Sequence, residues 1–302
     1  MSNSLLSIGE CMVELASTAS GDYARGFAGD TFNTAWYARR LLPADWTVAY
    51  GSCIGTDAVS DEMATFIAGE GIDTTVLRRL PDRTVGLYMI SLRDGERSFS
   101  YWRGQSAAKC LAEDPDWLAS TLHGRSIIHF SAITLAILSP DHRHALCAAL
   151  GLARANGSQI AFDTNLRPRL WNGADDMRAG VMLGASVADI VLPSFDEETA
   201  LWGDQTAEDT IARYRTAGAT RVVVKDGSGP VTLWSQGHGI RQHTATPVDQ
   251  VVDTTAAGDS FAGGFLAHLA MGQTDDFAVE KAMALAAKVI QARGALVPGI
   301  FA

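Results

Sequence analysis

Only four of the 302 residues are cysteine, Cys11, Cys53, Cys110 and Cys147, and no two of them form a CxxC pair. That scarcity excludes a zinc ribbon or a thioredoxin-like redox motif, and it reads as buried free thiols in a reducing, cytoplasmic setting. No 18 apolar residues run together, so no helical membrane span is expected. The opening MSNSLLSIGECMVEL has neither a basic segment nor an apolar run of signal-peptide length. Cations are also short: 24 Lys and Arg face 34 Asp and Glu, for a net charge of −10. An acidic chain of this kind is not a general nucleic-acid binder, because phosphate backbones call for clustered basic residues. Two phosphate-binding fingerprints are missing as well. There is no GxxxxGK[ST], and Gly9 and Gly29 lie too far apart for a GxGxxG turn after the first strand.

What is present is ordinary globular composition, 47% hydrophobic and 19% charged, with no repeat, low-complexity block or polar linker. The chain therefore reads as a single domain, 1–302. Strand and helix patterns alternate. Strands are expected at Leu5–Ile8, Thr47–Ser52, Ser126–Phe130, Gln159–Phe162, Ile190–Leu192 and Val222–Lys225. Helices are expected at Asn33–Leu42, Asp57–Glu70, Pro140–Ala155, Thr206–Ala217, Asp259–Met271 and Phe277–Arg293. Such alternation implies an α/β fold with a mostly parallel sheet covered on both faces. Thr84–Leu92 and Glu96–Trp102 break the rhythm. Between them lies Arg93-Asp94-Gly95, and Asp-Gly is a strong hairpin signal. This hairpin reads either as an ordinary sheet edge or as a lid that excludes water from a phosphoryl-transfer site.

The stretch Val251-Val252-Asp253-Thr254-Thr255-Ala256-Ala257-Gly258-Asp259-Ser260-Phe261 runs from a strand-like segment through small residues into an apolar helix. Small side chains at Ala256, Ala257 and Gly258 let backbone N–H groups approach an anion at a helix N-terminus. Asp259 beside them is either a helix cap or a catalytic carboxylate; spacing alone leaves both open.

DTTxAGDxFxxGF resembles the C-terminal signature of the PfkB, or ribokinase-like, sugar kinases. Other segments resemble family elements in the same order: Gly26–Ala35 the sugar-binding GG-x-x-x-N-x-A, Gly55-Thr56-Asp57 a G-x-D turn, and Lys225–Gly229 a nucleotide-binding K-x-G-x-x-G. The resemblance implies a three-layer α/β/α domain with a small β lid inserted at about residues 11–30 and 83–103. It implies ATP and Mg²⁺ as cofactors, Asp259 as the base, and Ala256, Ala257 and Gly258 as donors to the transferring phosphoryl group. It places Gly29, Asp30, Asn33 and Asp253 near the sugar. Asn165, Arg167, Ser194, Lys225, Gly227, Gly229, Ala257 and Gly258 fall on the nucleotide side. It also allows a homo-oligomer joined through the lid. Two departures stand out. Ala256 replaces a glycine, so the turn is expected to avoid positive φ there. Ser194 replaces the asparagine of an N-x-x-E motif, leaving Glu197 to orient a hydrated Mg²⁺.

Within the family, Gly9–Leu15, Tyr101-Trp102-Arg103 and Phe162–Trp171 resemble members that act on a keto-deoxy sugar acid. The chemistry agrees, because an acid needs a bidentate cationic partner and Arg103 and Arg167 are available. Tyr88 and Tyr101 are expected to add hydroxyl contacts from the lid. Strand alternation puts Tyr101 and Arg103 on one face and leaves Trp102 to pack on the other.

Overall fold

The computed structural model describes residues 3–18, 20–93, 96–245 and 247–301. Its strands fall into two sheets. The larger contains β1 (Ser4–Ile8), β4 (Thr47–Ile54), β5 (Leu77–Arg79), β8 (Ile127–Ser131), β9 (Gln159–Asp163), β10 (Ile190–Val191), β11 (Arg221–Val224), β12 (Val231–Ser235) and β13 (Gly239–His243). The smaller contains β2 (Met12–Ser17), β3 (Tyr23–Ala28), β6 (Gly86–Arg93) and β7 (Glu96–Trp102).

The large sheet runs β13-β12-β11-β10-β9-β8-β1-β4-β5, parallel from β5 to β11 and antiparallel at the β11–β12–β13 edge. Its central strands are apolar and buried along their length, as a sheet with helices on both faces requires. β1 is buried throughout, and the core splits into a Leu5, Ala161, Val223 cluster on one face and a Leu6, Ile160, Val222 cluster on the other. The chain leaves β1 for β4 on one side and later reaches β8 on the other. The strand order reverses there, and ligands of open α/β sheets sit beyond the strand ends at such a point.

Residues that meet there include Glu10 after β1, Ser131 closing β8 and Asp163 closing β9. The small sheet runs β3-β2-β6-β7. Its β6–β7 pair keeps the hairpin register through Arg93↔Glu96; the Asp94-Gly95 turn itself lies outside the described residues.

Several elements differ from the sequence expectation. The first helix starts at Asp30, three residues early, because Gly29 rather than an Asx or Ser cap opens it. A Cβ on Gly29 would collide with the Glu10 carbonyl oxygen, so that position accepts only glycine. The helices Pro115–Leu122 and Ala174–Ser186 and the strand pair β12–β13 are additional to the expected elements.

Trp102 does not pack. It is 58% exposed and Tyr101 is 52% exposed, because β7 is an edge strand with neither face covered at that end. The four cysteines are free and buried, as expected.

The Ala257–Ala270 helix lies between the Asp30–Leu41 and Asp275–Val289 helices. A Cβ on Gly263 would come within 2.7 Å of the Thr34 carbonyl oxygen, so glycine sets the close approach on one side. The turn into this helix overturns an expectation. Ala256, its N-cap, has φ 58° and ψ 18°. The left-handed turn that glycine would occupy freely is kept, at a strain of about 1–2 kcal/mol for a residue with a Cβ.

Replacing Ala256 with glycine removes that strain but loosens the unfolded chain by about 0.4–1 kcal/mol. Ala256→Gly should therefore gain roughly 0.5–1 kcal/mol, read as a higher midpoint in urea with an unchanged m-value. A lower midpoint would contradict the strain.

Candidate active site

Asp259 is in the first turn of the Ala257–Ala270 helix, yet it does not cap it; the N-cap is Ala256. Its carboxylate instead meets a neighbouring helix. Asn33 Nδ2 donates to Asp259 Oδ2 at 2.8 Å, and Thr34 Oγ1 donates to the Asp259 carbonyl oxygen at 3.3 Å. Withdrawal from water pushes the Asp259 pKa up to about 7, and the charges of Asp30 and Asp163 add to the rise. The Asn33 hydrogen bond and the Arg167 charge oppose it. A carboxylate poised near neutrality suits a general base, which must take a proton and later release it.

The donors beside Asp259 are fewer than the sequence suggested. The Ala257 N–H closes a turn onto the Thr254 carbonyl at 3.2 Å. Among the described residues, the Gly258 and Asp259 N–H groups open the helix without a recorded backbone partner, as helix geometry dictates. The anion site therefore centres on Gly258. Lys225 reaches it from just beyond β11: a Cβ on Gly258 would lie 3.5 Å from Lys225 Nζ. Lys225 Nζ also stands 3.2 and 3.3 Å from the two oxygens of Asp163. Beyond Lys225 the chain turns through Gly227, at φ 50°, and the Gly229 N–H closes onto the Asp226 carbonyl at 2.5 Å.

Asp253 holds the loop rather than facing the site. Its Oδ1 accepts from the Thr255 N–H at 3.0 Å and hydroxyl at 2.7 Å, and its Oδ2 from the Gly294 N–H at 2.8 Å. Ser194 is the N-cap of the Phe195–Trp202 helix but makes no capping hydrogen bond. Asp57 of the G-x-D turn is a true cap, accepting from the Ser60 N–H at 3.0 Å.

The loop after β9 supplies the next wall. Asn165, held at φ 26°, donates from Nδ2 to Asp30 Oδ2 at 3.0 Å. Glu197 Oε2 accepts the Leu166 N–H at 2.9 Å, and its Oε1 pairs with Arg167 Nη1 at 2.8 Å. Each Glu197 oxygen thus keeps one lone pair for a water. Among the described residues no group of three or more His, Cys, Asp or Glu could grip a bare ion. This donor set fits a hydrated Mg²⁺ held through its waters, not an all-protein cage.

Three side chains expected to meet the sugar acid already have acidic partners. Arg167 pairs with Glu197. Arg103, with a side chain 12% exposed, pairs with the buried Glu10. The Tyr88 hydroxyl donates to Glu14, and burial together with that carboxylate pushes its pKa well up.

Sequence reasoning passed over Glu10, Glu14 and Asp163. Two of them carried a signal: Glu10 lies two residues past the end of a fully buried strand, and Asp163 closes another strand.

The pfkB family carbohydrate kinase model matches residues 2–299. The chain is 41% identical over 304 residues to 2-dehydro-3-deoxygluconokinase of Escherichia coli K12, covering 99% of this chain and 98% of that protein. It is 39% identical over 297 residues to the Dickeya dadantii protein of the same name, covering 96% of each. Among solved structures, fructokinase with bound ATP from Xylella fastidiosa superposes with a TM-score of 0.84 at 25% identity, covering 98% of this chain and 94% of that one. With the reversal of strand order, the Asn33–Asp259 contact and the Lys225-flanked turn on one sheet edge, this chain belongs to the pfkB family of carbohydrate kinases.

Proposed function

We propose that the chain transfers the γ-phosphoryl group of ATP to the 6-hydroxyl of 2-dehydro-3-deoxy-D-gluconate, releasing ADP and the 6-phosphate. The observation that carries this reading is Asp259, a carboxylate with its pKa near neutrality, beside a helix N-terminus and a lysine. Its nearly full-length relatives carry that activity in their names.

The steps follow from the site. Asp259 takes the proton of the attacking hydroxyl, and the hydroxyl oxygen forms the new P–O bond as the bond to ADP breaks. Asn33 holds the Asp259 oxygen that does not face the substrate. The Gly258 N–H and Lys225 Nζ stabilise charge on the phosphoryl oxygens. Glu197 would hold a hydrated Mg²⁺ through its waters, and that ion would supply further charge neutralisation. Ala256 sets the turn that aims these donors, and Gly227 and Gly229 shape the nucleotide side, with Ser194 beside them. Gly29, Asp30 and Asn165 shape the floor of the sugar pocket. Tyr88, Tyr101 and Arg103 close it from the lid, and Arg103 and Arg167 recognise the acid.

A substrate panel with ATP and Mg²⁺ tests the reading directly. The keto-deoxy acid should give the highest kcat/KM, and a preference for ribose or fructose overturns the choice of acceptor. In wild-type protein the acid limb of kcat/KM should fall as pH drops through about 7, where Asp259 gains its proton.

Asp259→Asn should lose activity by about 10³-fold or more while its stability rises. The sign follows from linkage: Asp259 has a folded pKa above its unfolded value. Its protonated form favours folding below the unfolded pKa, and that favour is lost as pH rises through about 7. At pH 8 the asparagine variant should therefore melt roughly 2–4 °C higher. Unchanged kcat rules out Asp259 as the base. Arg103→Ala should raise KM for the acid about tenfold or more, with KM for ATP within about twofold; equal effects on both remove Arg103 from the acid site.

A further inference from the structure

Asp163 has no place in the steps above, yet it sits at their centre with a side chain only 5% exposed. Both of its oxygens approach Lys225 Nζ, at 3.2 and 3.3 Å, and Oδ1 also accepts the Asn165 N–H at 3.2 Å. A lysine ammonium is a point charge on a four-carbon stem with no preferred direction of its own. Here the stem leaves the chain just beyond β11 and the ammonium is fixed between Asp163 and the Gly258 turn. The same carboxylate shapes the Asn165 turn, whose side chain binds Asp30 and whose neighbours Leu166 and Arg167 bind Glu197. One buried acid therefore joins the cation of the phosphate turn to the loop that carries Arg167.

We infer that Asp163 is a positioning residue for phosphoryl transfer, holding the Lys225 ammonium against the Gly258-Asp259 turn so that it meets the transferring phosphoryl oxygens. The inference rests on the kinase reading above and deepens it. A cation fixed in advance stabilises transition-state charge without reorganising during the step. Set loose, it would sample solvent and the neighbouring acids. The charged or titratable groups around Asp163 are Lys225 just beyond β11, Asp259 and Asp30 at two helix starts, Arg167 in the loop after β9 and Glu197 on the Phe195–Trp202 helix. His129 on β8 completes the set; burial pushes its pKa down to about 4, so it is neutral near pH 7.

Asp163→Asn keeps an oxygen for the Asn165 N–H and removes the charge that holds Lys225. Asp163→Ser supplies the same comparison should the asparagine variant not fold. With ATP, Mg²⁺ and the keto-deoxy acid, Asp163→Asn and Lys225→Met should each lower kcat about tenfold or more. The double variant should match Lys225→Met alone, because Asp163 acts through Lys225. The acid limb of kcat/KM should also move to lower pH in Asp163→Asn, since Asp259 loses a negative neighbour.

Additive losses, an unmoved acid limb or an unchanged kcat overturn the assignment. A readout free of substrate separates this inference from the kinase reading. Lys225 acylation followed by mass spectrometry should be slow in wild type and about tenfold faster in Asp163→Asn, because the ion pair no longer shields the amine. Equal rates overturn the positioning role whatever the acceptor proves to be, whereas a wild-type protein inert toward every sugar defeats the kinase reading alone.

Discussion

Three carboxylates, Asp30, Asp163 and Asp259, converge at the strand-order reversal, and the site's other contacts answer the problem they create. Like charges withdrawn from water repel one another strongly unless each has its own partner. Each partner comes from a different element. Asn33 of the first helix binds Asp259, Asn165 of the loop after β9 binds Asp30, and Lys225 just beyond β11 binds Asp163. The packing of the body is therefore coupled to the electrostatics of the site, since moving any one of these elements strands an acid.

Burial does most to raise the Asp259 pKa, and the same coupling adds to the rise. Two amides and one lysine relieve three acids only in part, and the remainder appears as a carboxylate that titrates near neutrality. A fully paired Asp259 would be a weak base, and an unpaired one would stay protonated through neutral pH. The close contact at Gly263 matters for this reason. It sets the helix spacing at which Asn33 reaches one oxygen of Asp259 and leaves the other to the cleft.

Much of this was legible in the residue order. Buried strands declared themselves by apolar runs, as in Ile190–Leu192, and the Pro140–Ala155 helix by its proline start and apolar spacing. The AGD turn declared itself by its small residues. Local conflicts with tertiary demand were hidden. Ala256 looked like evidence against a left-handed turn, but the loop tied down by Asp253 imposes φ 58° on it regardless. Trp102 looked like a packing residue, but alternation says which face a side chain takes and not whether anything covers that face. The partners of Asp259 were hidden for another reason: Asn33 and Asp259 lie 226 positions apart, and no local pattern reports such a contact.

On the proposed function, contacts within the chain keep a pocket for an acid in order before the acid arrives. Tyr88 lies directly opposite Glu14 in the β2–β6 register and opposite Tyr101 in the β6–β7 register, so all three share one face. Just beyond that sheet's strands, Glu10 holds Arg103. Left without partners, a buried guanidinium and a buried phenol would be unstable and poorly placed. Borrowed from the chain's own acids, these contacts keep the side chains oriented, and a guanidinium has donors enough to serve a second carboxylate. A neutral sugar offers those remaining donors only hydroxyl and carbonyl oxygens, which lack the charge and the bidentate geometry of a carboxylate. Discrimination on that reading comes from the charge-assisted pair that the acid alone can make, and Glu10 and Glu14 sustain it by keeping Arg103 and Tyr88 in place.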